Sequence, residues 1–126
     1  MIPQLGRTLQ HLRKSFNCAM QGIAWAARTG RNWKIEAVAA GFTAGAAVAL
    51  RISSVEAAIL TLTIALVLSL ETMNSAVEAT VDALGGPPSV MAGRAKDAAA
   101  GSVLIAAALS LAVAAAIFGP RLVSLF

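Results

Sequence analysis

Four residues that could do chemistry lie in the stretch ETMNSAVEATVD, residues 71–82. Glu71, Asn74, Glu78 and Asp82 recur at steps of three, four and four, which places all four side chains on one face of an α-helix. Three carboxylates on one face repel one another unless a cation offsets their charge. Hard divalent cations such as Mg²⁺ prefer such oxygen ligands, often together with substrate phosphates. The pattern therefore favours a site for a metal and a phosphate group.

A second polar pair, Lys96 and Asp97, follows the turn sequence GGPPS and can return to the same region. Acids, a metal and a lysine suit phosphoryl transfer, which needs charge neutralisation, in-line positioning and a base for the attacking hydroxyl. The alternative interpretation is that these residues only solvate the exposed end of a long helix. Their spacing alone does not name a reaction.

The composition indicates the environment of these residues. Of the 126 residues, 58% are hydrophobic and 13% are charged, whereas soluble domains are about half apolar and roughly a quarter charged. We therefore predict an integral membrane protein. The net charge of +4 could indicate a nucleic-acid partner, but in so apolar a chain the positions of the charges matter more than their sum, and we expect no nucleic acid. The single cysteine, Cys18, excludes an internal disulfide.

Apolar periodicity predicts an all-α membrane protein with one domain over residues 1–126. Leu9, Leu12, Phe16 and Ile23 form one apolar stripe with basic residues opposite. Such a helix either packs on other helices or lies on the membrane surface, and we favour a surface helix within residues 1–30 because the spanning helices follow at once. Three spanning helices should follow. Their predicted ranges are 35–50, 54–84 and 98–118.

Turn and cap signals separate these helices. Ser53 and Glu56 have the spacing of a capping box, which predicts a helix start there. The loop at 85–89 should end the second span, and Gly119-Pro120 should end the third.

The distribution of Lys and Arg predicts the orientation. Eight of the ten precede the first span or lie between the second and third, and only Arg51 and Arg121 lie on the opposite side. The N-terminus and the 85–97 segment should be cytoplasmic, and the C-terminus should be outside. Glu71 then lies near the boundary between acyl chains and water, and Glu78 lies about two turns further toward the aqueous side.

The motifs resemble one known family. ETMNSAVEATVDALG, followed by GRAKDAAAGSVLIAA at 93–107, closely resembles the prokaryotic diacylglycerol kinase and undecaprenol kinase family of small three-span lipid kinases. RKSFNCAMQGIAW at 13–25 and RNWKIE at 31–36 are similar to its surface helix and first-span entry. The resemblance covers residues 13 to about 118.

The resemblance implies a homotrimer in a bacterial inner (plasma) membrane, with active sites at subunit interfaces that face the cytoplasm. It implies transfer of the ATP γ-phosphate to a lipid hydroxyl, with Mg²⁺ as the metal. Glu71 matches the general base and Glu78 the metal-binding glutamate. The resemblance also implies a set of residues at the ATP site, which includes Glu78: Lys14, Asn74, Glu78, Asp82, Lys96 and Asp97.

The sequence departs from the family pattern at several positions. Gly30 stands where many members have a glutamate that shares metal binding, and Glu36 is not an evident replacement. His11 stands where an arginine is common. The segment GGPPSV lacks the acidic and histidine residues that some members use around the nucleotide. We therefore expect weaker metal binding than in members with the glutamate.

Alternatives remain at this stage. The acceptor is either diacylglycerol, giving phosphatidic acid, or undecaprenol, giving undecaprenyl phosphate. From another class, the chain could be a small oligomeric transporter that uses Glu71 as an ion or proton relay, or a structural subunit without catalysis. A relay would tolerate loss of Lys96 and Lys14, and a structural subunit would tolerate loss of Glu71.

Overall fold

A computed structural model describes residues 2–87 and 89–124, with side chains described from Arg7 onward. All regular structure in these ranges is helical, which confirms the predicted all-α class. Parts of the predicted 1–30 helix, 85–89 loop and 1–126 domain (residues 1, 88, 125 and 126) lie outside the described residues. The four helices are α1 (Ile2–Thr29), α2 (Arg31–Ala49), α3 (Ser54–Ala83) and α4 (Val90–Val123).

Helices α3 and α4 form an antiparallel hairpin. Lys96 Nζ lies 2.7 Å from Asp82 Oδ1 at the end beside the connecting turn, and Arg121 Nη2 lies 2.8 Å from Glu56 Oε2 at the other end. Between these ion pairs the two helices bury most of the small apolar core: Leu60, Val67, Val103, Ala106 and Ile117.

Both hairpin helices are long and apolar enough to cross a membrane. Their 30 and 34 residues span about 45 and 51 Å, more than the ~30 Å of a hydrocarbon core. Helix α2, which contains the predicted first span, has 19 residues and carries Arg31, Lys34 and Glu36 in its first two turns. By length and apolarity, α2 does not qualify as a membrane-crossing helix in the way that α3 and α4 do.

The start of the second predicted span agrees with the structure. Glu56 N–H donates to Ser53 Oγ at 3.3 Å, and Ser53 N–H donates to Glu56 Oε2 at 2.7 Å. The capping box is thereby confirmed, and α3 begins at Ser54.

Helix α4 differs from the prediction at both ends. It begins at Val90, where Ser89 Oγ accepts a hydrogen bond from Ala92 N–H, so the helix starts before Lys96 and Asp97 and ahead of the predicted span at 98–118. The prediction that Gly119-Pro120 ends the helix is wrong, because α4 continues to Val123. The Arg121 guanidinium donates to Ile117 O at 2.7 Å and pairs with Glu56, and these contacts hold the turn that follows the proline.

The α1–α2 junction brings α2 against the polar face of α3. Gly30 separates the two helices with an extended backbone, and Trp33 Nε1 donates to Thr72 Oγ1 at 3.3 Å. A Cβ at Gly30 would lie 2.8 Å from Ala26 O and 3.6 Å from Ser75 Oγ. A side chain at this position would therefore make the junction shift, whereas glycine fits without any change.

Candidate active site

The polar face of α3 changes from buried to exposed along the helix. Glu71 and Asn74 are only 3% and 5% exposed, whereas Glu78 and Asp82 are exposed. Because α3 is continuous from Ser54 to Ala83, all four predicted residues lie on one helix, as their spacing requires. The gradient places one carboxylate within the protein and two at its surface.

Side-chain contacts connect this face to α4. Asn74 Nδ2 donates to Glu78 Oε1 at 3.3 Å, and Lys96 Nζ donates to Asp82 Oδ1 at 2.7 Å. The hydrogen bond with Asp82 raises the pKa of Lys96 above its ordinary value of 10.5. Lys96 therefore keeps its positive charge at neutral pH, beside two carboxylates of α3.

Three buried oxygens of this region have no hydrogen-bond partner among the described residues. They belong to Glu36, Glu71 and Asn74: Oε2 of each glutamate and Oδ1 of the asparagine. A buried polar atom without a partner costs free energy, and such atoms call for a proton, a ligand or a cation.

The burial of Glu36 beside the polar face of α3 is a feature that the sequence did not reveal. Glu36 lies in the second turn of α2, one turn after Trp33, whose Nε1 donates to Thr72 Oγ1 next to Glu71. It also lines an apolar groove of about 340 Å³ between α2, α3 and α4, together with Ala39, Thr43, Val67 and other residues. A glutamate near the start of an apolar run was the available signal, but only the docking of α2 on α3 pairs it with Glu71.

Two further clefts lie beside Asp82. One, of about 210 Å³, is lined by residues that include Gly30, Ser75, Glu78 and Asp82. The other, of about 510 Å³, lies at the turn between α3 and α4 and is lined by residues that include Asp82 and Lys96. The exposed acids and the lysine thus border space that a phosphate group could enter.

The described residues offer no ready-made metal cage. No group of three His, Cys, Asp or Glu side chains within them is placed to hold a metal ion. Glu78, the predicted metal ligand, is instead exposed to a cleft that it shares with Asp82.

The structure does not bring every predicted residue to this cluster. Lys14 is exposed on α1, about 24 Å along the helix from Gly30, and forms no ion pair with another described residue. Asp97 is exposed next to Lys96. One chain therefore brings together Glu71, Asn74, Glu78, Asp82 and Lys96, whereas Lys14 lies apart from them.

Comparison with known proteins places this arrangement in a family. The model of the prokaryotic diacylglycerol kinase family matches residues 17–118, most of the chain. The chain belongs to the prokaryotic diacylglycerol kinase family. The enzyme class predicted from the motifs, a membrane lipid kinase, is thereby confirmed, and no comparison supports the transporter alternative.

Two relatives of known name extend the match over almost the whole chain. The diacylglycerol kinase of Synechocystis sp. is 37% identical over 116 residues, which are 91% of this chain and 66% of that protein. The undecaprenol kinase of Bacillus subtilis is 39% identical over 114 residues, which are 90% of this chain and 93% of that protein. Kinases of both names are thus similar to this chain to nearly the same degree.

Proposed function

We propose that this protein transfers the γ-phosphate of ATP to the hydroxyl of a membrane lipid alcohol, with Glu71 as the general base. The observation that carries the proposal is the buried Glu71 carboxylate at the end of the apolar part of α3, one of whose oxygens has no hydrogen-bond partner among the described residues. From that position it can meet a lipid hydroxyl at the membrane boundary. The exposed acids and Lys96 further along can meet a water-soluble nucleotide.

The reaction proceeds through one proton transfer and one phosphoryl transfer. Glu71 accepts the proton of the lipid hydroxyl, whose oxygen bonds to the γ-phosphorus while the bond to the ADP oxygen breaks. A positioned base of this kind is worth about 10²–10⁴ in rate. Lys96, with Asp97 beside it, binds the phosphates, and Asn74 orients Glu78 through their hydrogen bond. Asp82 holds Lys96 toward the α3 face and borders the nucleotide clefts.

The residues fit a metal that arrives with the nucleotide. Mg²⁺ keeps several waters and is usually bound by one or two carboxylates plus substrate phosphates. Glu78 and Asp82 border one cleft and form such a donor set. We assign Glu78 as the metal ligand. When bound, Mg²⁺ offsets the negative charge on the β- and γ-phosphates.

The homotrimer and a site shared between subunits belong to the same proposal. Within one protomer Lys14 stands apart from the α3 acids, so a neighbouring subunit is the natural source of this basic group. Mixed trimers test the point. Lys14→Met and Glu71→Gln chains, each inactive alone, should recover part of the activity when they assemble together. No recovery in mixed trimers of proven composition would contradict a shared site.

The proposed topology has three spanning helices, a surface helix α1 and a cytoplasmic N-terminus in the bacterial plasma membrane. Its support is the eight-to-two distribution of Lys and Arg. In a Cys18→Ser background, Ser124→Cys should react with an impermeant thiol reagent from outside the cell. Labelling from the cytoplasm alone would place Glu71 on the wrong side for ATP.

Purified protein tests the function directly. It is mixed with Mg²⁺, γ-labelled ATP and either diacylglycerol or undecaprenol in the same lipid matrix. Label in one of the two lipids, lost in Glu71→Gln, identifies the acceptor and supports the base. Label in neither, from protein that still binds ATP, would contradict both proposed acceptors.

A further inference from the structure

The environments of Glu36 and Glu71 point to a role that the two residues share. Both side chains have a buried Oε2 without a partner among the described residues. The hydrogen bond from Trp33 Nε1 to Thr72 Oγ1, at 3.3 Å, joins their two helices one turn before Glu36 and next to Glu71. Two buried carboxylates on facing helices cannot both ionise cheaply when they lie near each other, and one retained proton between them removes the repulsion.

We infer that Glu36 is a positioning residue for Glu71: it retains its proton and donates a hydrogen bond to the ionised Glu71 carboxylate. This inference rests on the proposed role of Glu71 as the base. Glu36 carries the proton because it borders the apolar groove, where an ionised form is poorly solvated. Glu71, by contrast, lies on the polar face of α3 with Asn74 and Glu78, where an ionised form is better solvated. One oxygen of Glu71 is thereby fixed, and the other remains free for the lipid hydroxyl.

The proton balance is consistent with catalysis. Before the reaction the pair holds one proton, on Glu36. Glu71 takes the second proton from the lipid hydroxyl as the new O–P bond forms. After ADP and the phosphorylated lipid leave, one proton returns to water and the pair is restored.

Further charged groups near this pair belong to α1, α3 and α4. Glu78 of α3 acts on Glu71, and Lys96 of α4 acts on Glu78. On α1, Arg28 near the junction is exposed. Among the described residues, Glu71 is the charged group that acts electrostatically on Glu36.

Two substitutions at position 36 separate hydrogen bonding from charge. Glu36→Gln keeps a donor of the same shape, so it should retain turnover near neutral pH. Glu36→Leu removes the donor, and misplacing the base should lower kcat by up to about 10²-fold. Thr43→Val, in the same groove, is the matched control and should behave as the parent protein.

The pH profile distinguishes this role from a purely structural one. In the parent protein, loss of the Glu36 proton at alkaline pH restores the repulsion and lowers the rate. Glutamine has no proton to lose there, so Glu36→Gln should move the alkaline decline upward by about 1 pH unit or more. An unchanged alkaline decline would overturn the inference, as would equal rates of Glu36→Gln and Glu36→Leu.

Glu71→Gln, measured in parallel, separates the two proposals. If it is fully active, the proposed function of Glu71 fails. If it is impaired while both Glu36 variants match the parent protein, only the inference about Glu36 fails. Thermal unfolding of each purified variant identifies losses that come from misfolding.

Discussion

The two ends of the α3–α4 hairpin both carry acids but satisfy them differently. At the capped end, formed by Ser53, Glu56 and Arg121, both oxygens of Glu56 are engaged. Oε1 accepts from Arg121 at 2.9 Å, and Oε2 accepts from Arg121 and Ser53 at 2.7–2.8 Å. At the acidic end, formed by Glu71, Asn74, Glu78, Asp82 and Lys96, two buried oxygens have no partner among the described residues.

This difference is what we expect if Glu56 stabilises the fold and the acids of the acidic end take part in the proposed reaction. The capping box with Ser53 and the bidentate ion pair with Arg121 account for both oxygens of the Glu56 side chain. No contact among the described residues accounts for burying Glu71 with an unpaired oxygen, which costs stability unless a substrate or a shared proton compensates. The lipid hydroxyl that we propose as the acceptor for this member of a lipid kinase family would be such a substrate.

The largest expected effect is that of Glu71→Gln, which tests the acidic end directly. Glutamine keeps the shape but cannot accept the hydroxyl proton, so kcat should fall about 10²–10⁴-fold. Binding of Mg-ATP, measured by calorimetry, should remain near that of the parent protein. Loss of nucleotide affinity with unchanged turnover at saturation would reverse the role assigned to Glu71.

A smaller effect is expected for Glu78→Gln, which removes an exposed metal ligand rather than the base. Mg-ATP affinity should fall at least as much as the roughly 10–100-fold seen when an outer-shell partner of a metal is lost. Raised Mg²⁺ should restore part of the activity, which it should not do for Glu71→Gln. Parallel Mg²⁺ titrations of both variants measure the contrast, and identical titration curves would contradict separate roles.

Local signals predicted most of the hairpin. The spacing of Ser53 and Glu56 located the start of α3, and the steps from Glu71 to Asp82 placed four polar groups on one face. The end of α4 was mispredicted because a proline is a strong local stop signal, whereas the contacts that sustain the helix beyond it come from Glu56, 65 residues away in sequence. Local patterns do not contain such a contact.

The candidate site was predictable only where one helix carries it. Asn74 and Glu78 meet at a spacing of four residues, which the sequence displays directly. The Lys96–Asp82 pair depends on how the hairpin closes, and the proximity of Glu36 to Glu71 depends on the docking of α2, which Trp33 and Thr72 help to fix. These contacts join separate elements, and so Glu36 was not recognised as a partner of Glu71.

Breaking the capped end should affect stability rather than catalysis. Arg121→Met leaves Glu56 without its partner at a partly buried site, so the melting temperature in detergent should fall. Adding Glu56→Gln should recover part of the loss, because the two residues are coupled. The rate of lipid phosphorylation by the folded fraction should not change.

By comparison, Lys96→Met removes a more exposed ion pair and should reduce the rate with little change in melting temperature.

The smallest expected effect sharpens the comparison at the α1–α2 junction, beside the acidic end. Gly30 borders the cleft that Glu78 and Asp82 line, so a carboxylate introduced there could add a ligand for Mg²⁺. Any side chain at this position also meets Ala26 O, so Gly30→Ala is the matched control for the steric cost. Relative to Gly30→Ala, Gly30→Glu should lower the Mg²⁺ concentration that gives half-maximal rate, and Mn²⁺ binding followed by electron paramagnetic resonance should tighten in parallel. If both variants show the same metal dependence, the carboxylate missing at position 30 does not limit metal binding.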